Sequence, residues 1–305
     1  MQLVRLLSFF VFMLTTAGAM GQAGPPFRTD DPDTPGNKHW EINLGWTGDR
    51  NPYEGYYSVP DFDINYGLGD RIQLKYELPI AVHELRGGVN NAGEFTPPSR
   101  ARVDVGLGES LLGVKWRFYE HRAKKVGSTK GDAEAPEPDF SMGIYPQLSL
   151  NNPTRSVQRE VVLPGPQFLL PIVANARVGP LRLAGEVGYW FTNRKVPQSW
   201  IRGLVIGHDF KPRTEAYIEV YSQQDANRVD GASKQRESTL SAGVRQGLNS
   251  GKSVVLLLMG GRSLQKITSS SGQPSWIGYA GLQFLVCPHK KPSSASMRDE
   301  KRVFH

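Results

Sequence analysis

Apolar and polar residues alternate one by one along most of this chain, and that period of two constrains the fold more than any other feature. Trp40, Ile42, Leu44 and Trp46 interleave with Glu41, Asn43 and Gly45. Phe62, Ile64 and Tyr66 interleave with Asp61, Asp63 and Asn65. After Gly67-Leu68-Gly69-Asp70, Ile72, Leu74, Tyr76 and Leu78 interleave with Arg71, Gln73, Lys75 and Glu77. Successive side chains of a strand point to opposite faces, so each stretch reads as a strand with one apolar and one polar face, and the last two as a hairpin. Helix is expected to be scarce, because 33 glycines and 22 prolines favour turns and strands. Beyond Thr16 no apolar run approaches the about 20 residues of a membrane-spanning helix. The densest, Val254 to Met259, suits a strand.

Further strands are expected near 140–150, 166–176, 181–191, 200–210, 214–222, 236–247, 253–264 and 274–286. Taking 102–119 as two strands gives thirteen and puts the short connections on opposite sides. One long strand, its phase slipping through a glycine-containing bulge at Gly108-Glu109-Ser110, gives twelve. Short turns near 67, 178, 212 and 250, and a long turn over 120–138, then share one side. The longer loops, near 51–56, 82–101, 151–165, 192–199, 223–235 and 265–273, share the other. Pro146 and Pro171 fall inside strands, where each removes a ladder donor and is expected to cause a bulge.

A soluble sandwich alternates too, so the two faces must decide. The apolar face carries large aliphatic residues, and aromatic residues gather near strand ends: Trp40, Trp46, Tyr66, Trp190, Phe191, Trp200, Phe210 and Trp276. Aromatic girdles around strands of about ten residues mark a lipid interface. The expected fold is therefore all-β, a transmembrane antiparallel up-and-down β-barrel of about 12 strands occupying 39–286. Residues 1–21 read as a signal peptide: Arg5, the apolar run Leu6 to Thr16, and small residues at Ala17-Gly18-Ala19. Residues 22–38 form a Pro-rich arm and 287–305 a basic tail. Export to a bacterial outer membrane follows, with membrane lipid as a partner.

The formal charge of +7 is no sign of a nucleic-acid partner, since an exported chain meets none and part of the excess (Lys290, Lys291, Arg298, Lys301, Arg302) sits in the tail. The six histidines are scattered without metal-ligand spacing, and Cys287 is the single cysteine. Gly247 and Gly251-Lys252-Ser253 miss a phosphate loop by one position and have no helix to follow. No cofactor, metal or catalytic motif is expected, and the chain reads as a non-enzyme.

The polar faces would point Glu41, Asp61, Asp63, Arg71, Lys75, Glu77, Arg182, Glu186, Glu215, Glu219 and Arg245 into the lumen. In a narrow barrel such residues build an ion-pair lattice, and the same charges tune selectivity. The arm has no ladder to join, yet Phe27 gains by burial. Asp30, Asp31 and Asp33 could pair with lumenal bases such as Arg71 or Arg182, which would place the arm in or over the periplasmic mouth; the alternative is a disordered leader between the signal and the first strand.

Three stretches resemble a known family: Pro25-Pro26-Phe27-Arg28-Thr29-Asp30-Asp31-Pro32 leading to Trp40-Glu41-Ile42-Asn43; Gly106-Leu107-Gly108-Glu109 before Gly113-Val114-Lys115-Trp116-Arg117-Phe118; and Tyr279-Ala280-Gly281-Leu282-Gln283. The chain is similar here to the outer-membrane barrels linked to the MetA pathway of phenol degradation. It departs at Glu109, where Asp is common, in the insertion over 120–138 and in the basic tail. The resemblance implies a transporter for passive uptake of small hydrophobic or aromatic compounds. The alternatives are a structural or adhesive surface barrel and, further off, an outer-membrane lipid hydrolase, whose His-x-Ser-Asn-Gly run is absent.

Overall fold

The structure is a computed structural model that describes residues 24–51, 53–89, 95–96, 101–122, 138–211, 213–228, 235–251, 253–264 and 275–287. The expected signal segment and the tail after Cys287 lie outside them. Twelve antiparallel strands follow one another: β1 Trp40–Arg50, β2 Glu54–Leu68, β3 Ile72–Leu85, β4 in two segments Arg102–Leu107 and Glu109–His121, and β5 in two segments Phe140–Ile144 and Gln147–Asn151. Then come β6 Gln167–Val178, β7 Leu181–Phe191, β8 Ser199–Lys211, β9 Thr214–Asp225, β10 Arg236–Gly247, β11 Val254–Ser263 and β12 Trp276–Val286. Each strand pairs with its neighbours in sequence, and β1 pairs with β12 from Trp40 opposite Val286 to Arg50 opposite Trp276. The sheet closes on itself as an up-and-down barrel.

The expected irregularity in β4 is a bulge. Ile80 faces Leu107 while Glu77 faces Leu111, so β4 carries one residue more than β3 over that interval. The Gly108 amide donates to the Pro79 carbonyl inside it. The prolines of β5 and β6 behave otherwise than expected. β5 is interrupted at Tyr145-Pro146, but the register against β4 is unchanged on both sides, Gly113 facing Gln147 and Trp116 facing Ile144. The Pro146 carbonyl still accepts from the Val114 amide there, and the Tyr145 amide still donates to the Pro171 carbonyl. β6 likewise passes Pro171 opposite Gly188 without a slip. A proline removes one donor, and here the ladder absorbs that loss without an inserted residue.

β2 and β3 run well beyond the expected 61–66 and 71–78, into the segments expected as loops. Between Ser58 and Asp61 the register shifts around Val59-Pro60, which turns the alternation out of phase and hides the continuation. Gly69 and Gly179, both left-handed (φ +70 and +60), make the tight β2–β3 and β6–β7 turns. The topology puts them and Ser250 on one rim, opposite Gly88; the expected rim markers Pro212 and Asp230 lie outside the described residues.

The two faces sort as the alternation requires. Trp40, Trp46, Phe191, Trp200, Phe210 and Trp276 stand exposed on the outer wall, whereas Glu41, Asn43, Asp63 and Gln73 are buried inside. Trp190 is a correction to the expected girdle. It shares the inward parity of Glu186 and packs on Leu169, Ile201 and Tyr221 within the lumen.

Adjacent positions on β3 test this sorting, since Leu74 is 41% exposed and Gln73 only 5%. Leu74→Arg should cost roughly 2 to 4 kcal/mol at mid-depth, with Gln73→Arg far milder. Urea unfolding in lipid vesicles measures both, and equal losses would contradict this sorting of the faces.

Candidate functional site

The arm Gly24–Lys38 lies inside the barrel. It leaves the short-turn rim, where the Lys38 amide donates to the Gly67 carbonyl and the Gly67 amide to the His39 carbonyl. Pro25, Pro26, Pro32 and Pro35 bring no amide hydrogen, and the amides that remain have no ladder. Lumenal carboxylates take two of them, and the Gly24, Phe27 and Asp33 amides bond within the arm. Glu219, fully buried, accepts from both the amide and the hydroxyl of Thr29 at 2.7 Å, and from Ser241 Oγ at 2.9 Å through its other oxygen. Glu186 accepts from the Asp30 amide at 3.0 Å. Phe27 meets the Tyr217 ring edge-on at 5.4 Å between centroids and packs with Ala184 and Val205.

The arm's acids face the opposite wall. Lys115 Nζ reaches Asp30 Oδ1 at 3.2 Å, the Asp33 carbonyl at 3.2 Å and Asp31 Oδ1 at 3.7 Å. Arg117 binds Asp33 Oδ1 at 3.4 Å and the Asp70 carbonyl at 2.5 Å, while Asn175 donates to Asp33 Oδ2 at 2.8 Å. Burying charges carries a desolvation cost that only pairing and hydrogen bonding offset, and these charges are paired. The wall is shaped for the arm as well. A Cβ on Gly203 would sit 2.0 Å from Thr29 Oγ1, and one on Gly67 1.7 Å from the Gly36 carbonyl oxygen.

The expected lumenal residues divide into groups. On β1–β3, Asn43 bridges Glu41 and Asp63 at 3.2 Å each, Asn65 donates to Asp63 at 3.0 Å, and Gln73 donates to Asn65 at 2.6 Å. Lys75 lies 2.8 Å from Glu77 and 3.5 Å from Asp63, and Asp61 stands beside them. On the far wall Tyr217 donates to Glu215, and Arg245 to Gln283 at 3.2 Å.

Two basic residues depart from expectation. Arg71 sits exposed on the rim turn beside Glu120 at 3.4 Å, and Arg182 pairs with Asp209 at 3.2 Å. The ion pairs to the arm's aspartates among the described residues come from Lys115 and Arg117. Val114, Trp116 and Phe118 alternate with Gly113, Lys115 and Arg117, so the period of two that placed Lys75 inside would have placed these as well.

Between the arm and the long-loop rim lies a cavity of about 510 Å³. Phe27, Arg28 and Asp30 form its floor. One wall is acidic, with Asp61, Asp63 and Glu77 around Lys75 and the Tyr279 ring nearby; the other is apolar and aromatic, with Trp190, Ile201 and Tyr221. The Arg28 guanidinium lies 5.6 Å from the Tyr221 ring centroid and pairs with Asp49 at 3.2 Å and Glu237 at 3.3 Å. Among the described residues no group of His, Cys, Asp and Glu is arranged to hold a metal ion.

A closed antiparallel barrel with an apolar outer wall and a polar lumen is the fold of outer-membrane β-barrels. Among solved structures, an outer membrane channel from Pseudomonas putida F1 is similar to this chain with a TM-score of 0.55 and 13% identity, over 84% of this chain and 97% of that one. The NanC porin is similar with a TM-score of 0.50 and 5% identity, over 80% of this chain and 98% of that one. No family model matches the chain, and no curated protein does.

The fit at Gly203 is testable by thiol labelling of a Thr29→Cys, Cys287→Ser protein, in which the introduced thiol should be protected. Adding Gly203→Leu should raise its labelling rate about tenfold or more, as expected when a packed segment is displaced. Heat-modifiable gel migration checks that the barrel still forms, and unchanged labelling in a folded barrel would contradict the packing.

Proposed function

We propose that this chain is an outer-membrane channel, exported by its N-terminal signal segment, for passive uptake of small hydrophobic or aromatic compounds, and that the arm is its plug. The observation that carries this reading is the cavity over the arm. It offers an aromatic wall to a solute, and the arm closes it below. Ligand pockets combine mostly apolar lining with a few polar groups that orient the ligand, and Trp190, Tyr221 and Ile201 facing Asp61 and Glu77 have that composition. The resemblance to barrels of the MetA pathway agrees in substrate class.

The plug reading rests on the polar fit of the arm. The Asp30–Asp33 stretch is held by side-chain contacts to Lys115, Arg117 and Asn175 and not as a strand of the sheet, so the arm can leave the lumen without opening the barrel. The ionised lumen outside the arm then has two roles: it fills a narrow bore as an ion-pair lattice, and it sets which solutes pass.

Deleting residues 24–36 separates this reading from that of a structural or adhesive barrel. In planar bilayers the truncated barrel should conduct several-fold better than the full-length one, with heat-modifiable migration retained. A folded truncation that conducts no better would make the arm a tether and end the plug assignment.

A further inference from the structure

We infer that the cavity selects small organic cations with an aromatic or apolar body, such as protonated arylalkylamines, over neutral and anionic compounds of the same shape. This deepens the channel reading and rests on it for the direction of transport, though not for binding. Of the charged side chains lining the cavity, Asp30, Asp49, Asp61, Asp63, Glu77 and Glu186 are acidic, against Arg28 and Lys75. Asp49 is neutralised by Arg28, while Asp63 and Glu77 share Lys75, and Asp30 is met by Lys115. Two carboxylates remain without a cation in ion-pair range among the described residues: Asp61 and Glu186.

Glu186 is the more telling of the two. It is 4% exposed, and its one described hydrogen bond is from the Asp30 amide to Oε2. No bond among the described residues uses Oε1 on this cavity-lining side chain. Asp61 lines the cavity from the facing wall, and its buried Oδ1 likewise accepts no hydrogen bond among the described residues. A carboxylate removed from water without a donor is strongly unfavourable, and a charged N–H donor from a ligand relieves that cost most fully.

The aromatic surface stands where the rest of such a ligand would lie. Trp190 is four residues beyond Glu186 on the same face of β7 and packs with Tyr221, Ile201 and Leu169. On the facing side, Gly45 pairs across the sheet with both Asp61 and Gly281, and the Tyr279 hydroxyl lies 2.6 Å from where a Gly45 Cβ would stand. The missing side chain brings an aromatic ring beside Asp61. An ammonium group held by a carboxylate and flanked by ring faces gains from both charge pairing and cation–π attraction. A benzoate-like anion placed there meets two carboxyl groups and, among the described residues, no cation within ion-pair range of either.

The experiment is equilibrium binding to the full-length barrel folded in a non-ionic detergent, followed by tryptophan fluorescence and calorimetry. The probes are benzylamine, benzyl alcohol and benzoate at pH 7. Benzylamine should bind about tenfold more tightly than benzyl alcohol, the ratio expected from one charge-assisted bond, with benzoate weakest. Glu186→Gln combined with Asp61→Asn keeps the acceptor for the Asp30 amide and should abolish the preference for the amine. Protection of the thiol introduced by Thr29→Cys, measured in the same double-substituted barrel, confirms that the arm has not moved. Equal binding of the three probes, no binding of any, or a preference that survives the double substitution would overturn the inference. Proteoliposome uptake of the same probes reads the channel assignment separately: binding with the stated preference but without uptake overturns the channel and leaves the cation site standing.

Discussion

The pairing of β1 with β12 is the interaction on which the rest of this structure depends. Eleven consecutive residue pairs, Trp40 with Val286 through Arg50 with Trp276, leave neither strand with a free edge. In hydrocarbon every backbone donor and acceptor must be met within the protein, and a sheet achieves this only by closing. Closure then gives the alternation its meaning. One side of every strand becomes the outer wall and the other the lumen, and no residue can be apolar-out on one strand and lumenal on the next without a bulge to reset it.

An interior so defined is polar by pattern and narrow by strand number, which creates a second constraint. Glu186, Glu219, Lys115 and Arg117 are buried in a space where water is scarce, and each needs a partner. The arm supplies many of them. Its proline content, which bars it from joining the sheet, leaves the amides of Thr29 and Asp30 free to donate inward, and its three aspartates answer the two bases of β4. Arm and wall are thus complementary in a way that neither would be alone, and glycines at 67 and 203 give the arm the space it occupies.

Much of this was legible in the alternation, because a period of two reports a purely local property, the direction of each side chain. Strand number, closure class and the inward direction of Glu41, Asp63 and Glu219 follow from it, and the Gly108 bulge shows as a slip of phase. The true lengths of β2 and β3 did not show, since the slip at Val59-Pro60 imitates a strand end. Trp190 stands near a strand end as a girdle residue would, yet its parity with Glu186 turns it into the lumen. Which base meets which acid was illegible for a different reason. Asp33 and Arg117 are 84 positions apart, and their meeting depends on the path of the arm through the lumen and on where β4 crosses it, neither of which leaves a local pattern. Lys115 and Arg117 were nonetheless within reach of the pattern that located Lys75.

The arm joins β1 with only His39 between Lys38 and Trp40, and Lys38 is held to Gly67 with its backbone in the left-handed region (φ 62). That junction makes the arm a ligand covalently attached at the mouth of its own receptor. Its local concentration is set by a short linker, which typically corresponds to the millimolar range, rather than by how much protein the membrane holds. A free peptide of the same sequence would compete poorly against it. Any excursion is a swing about a fixed pivot with a first-order return, so the occupancy of the lumen is a property of the single molecule, independent of crowding in the membrane.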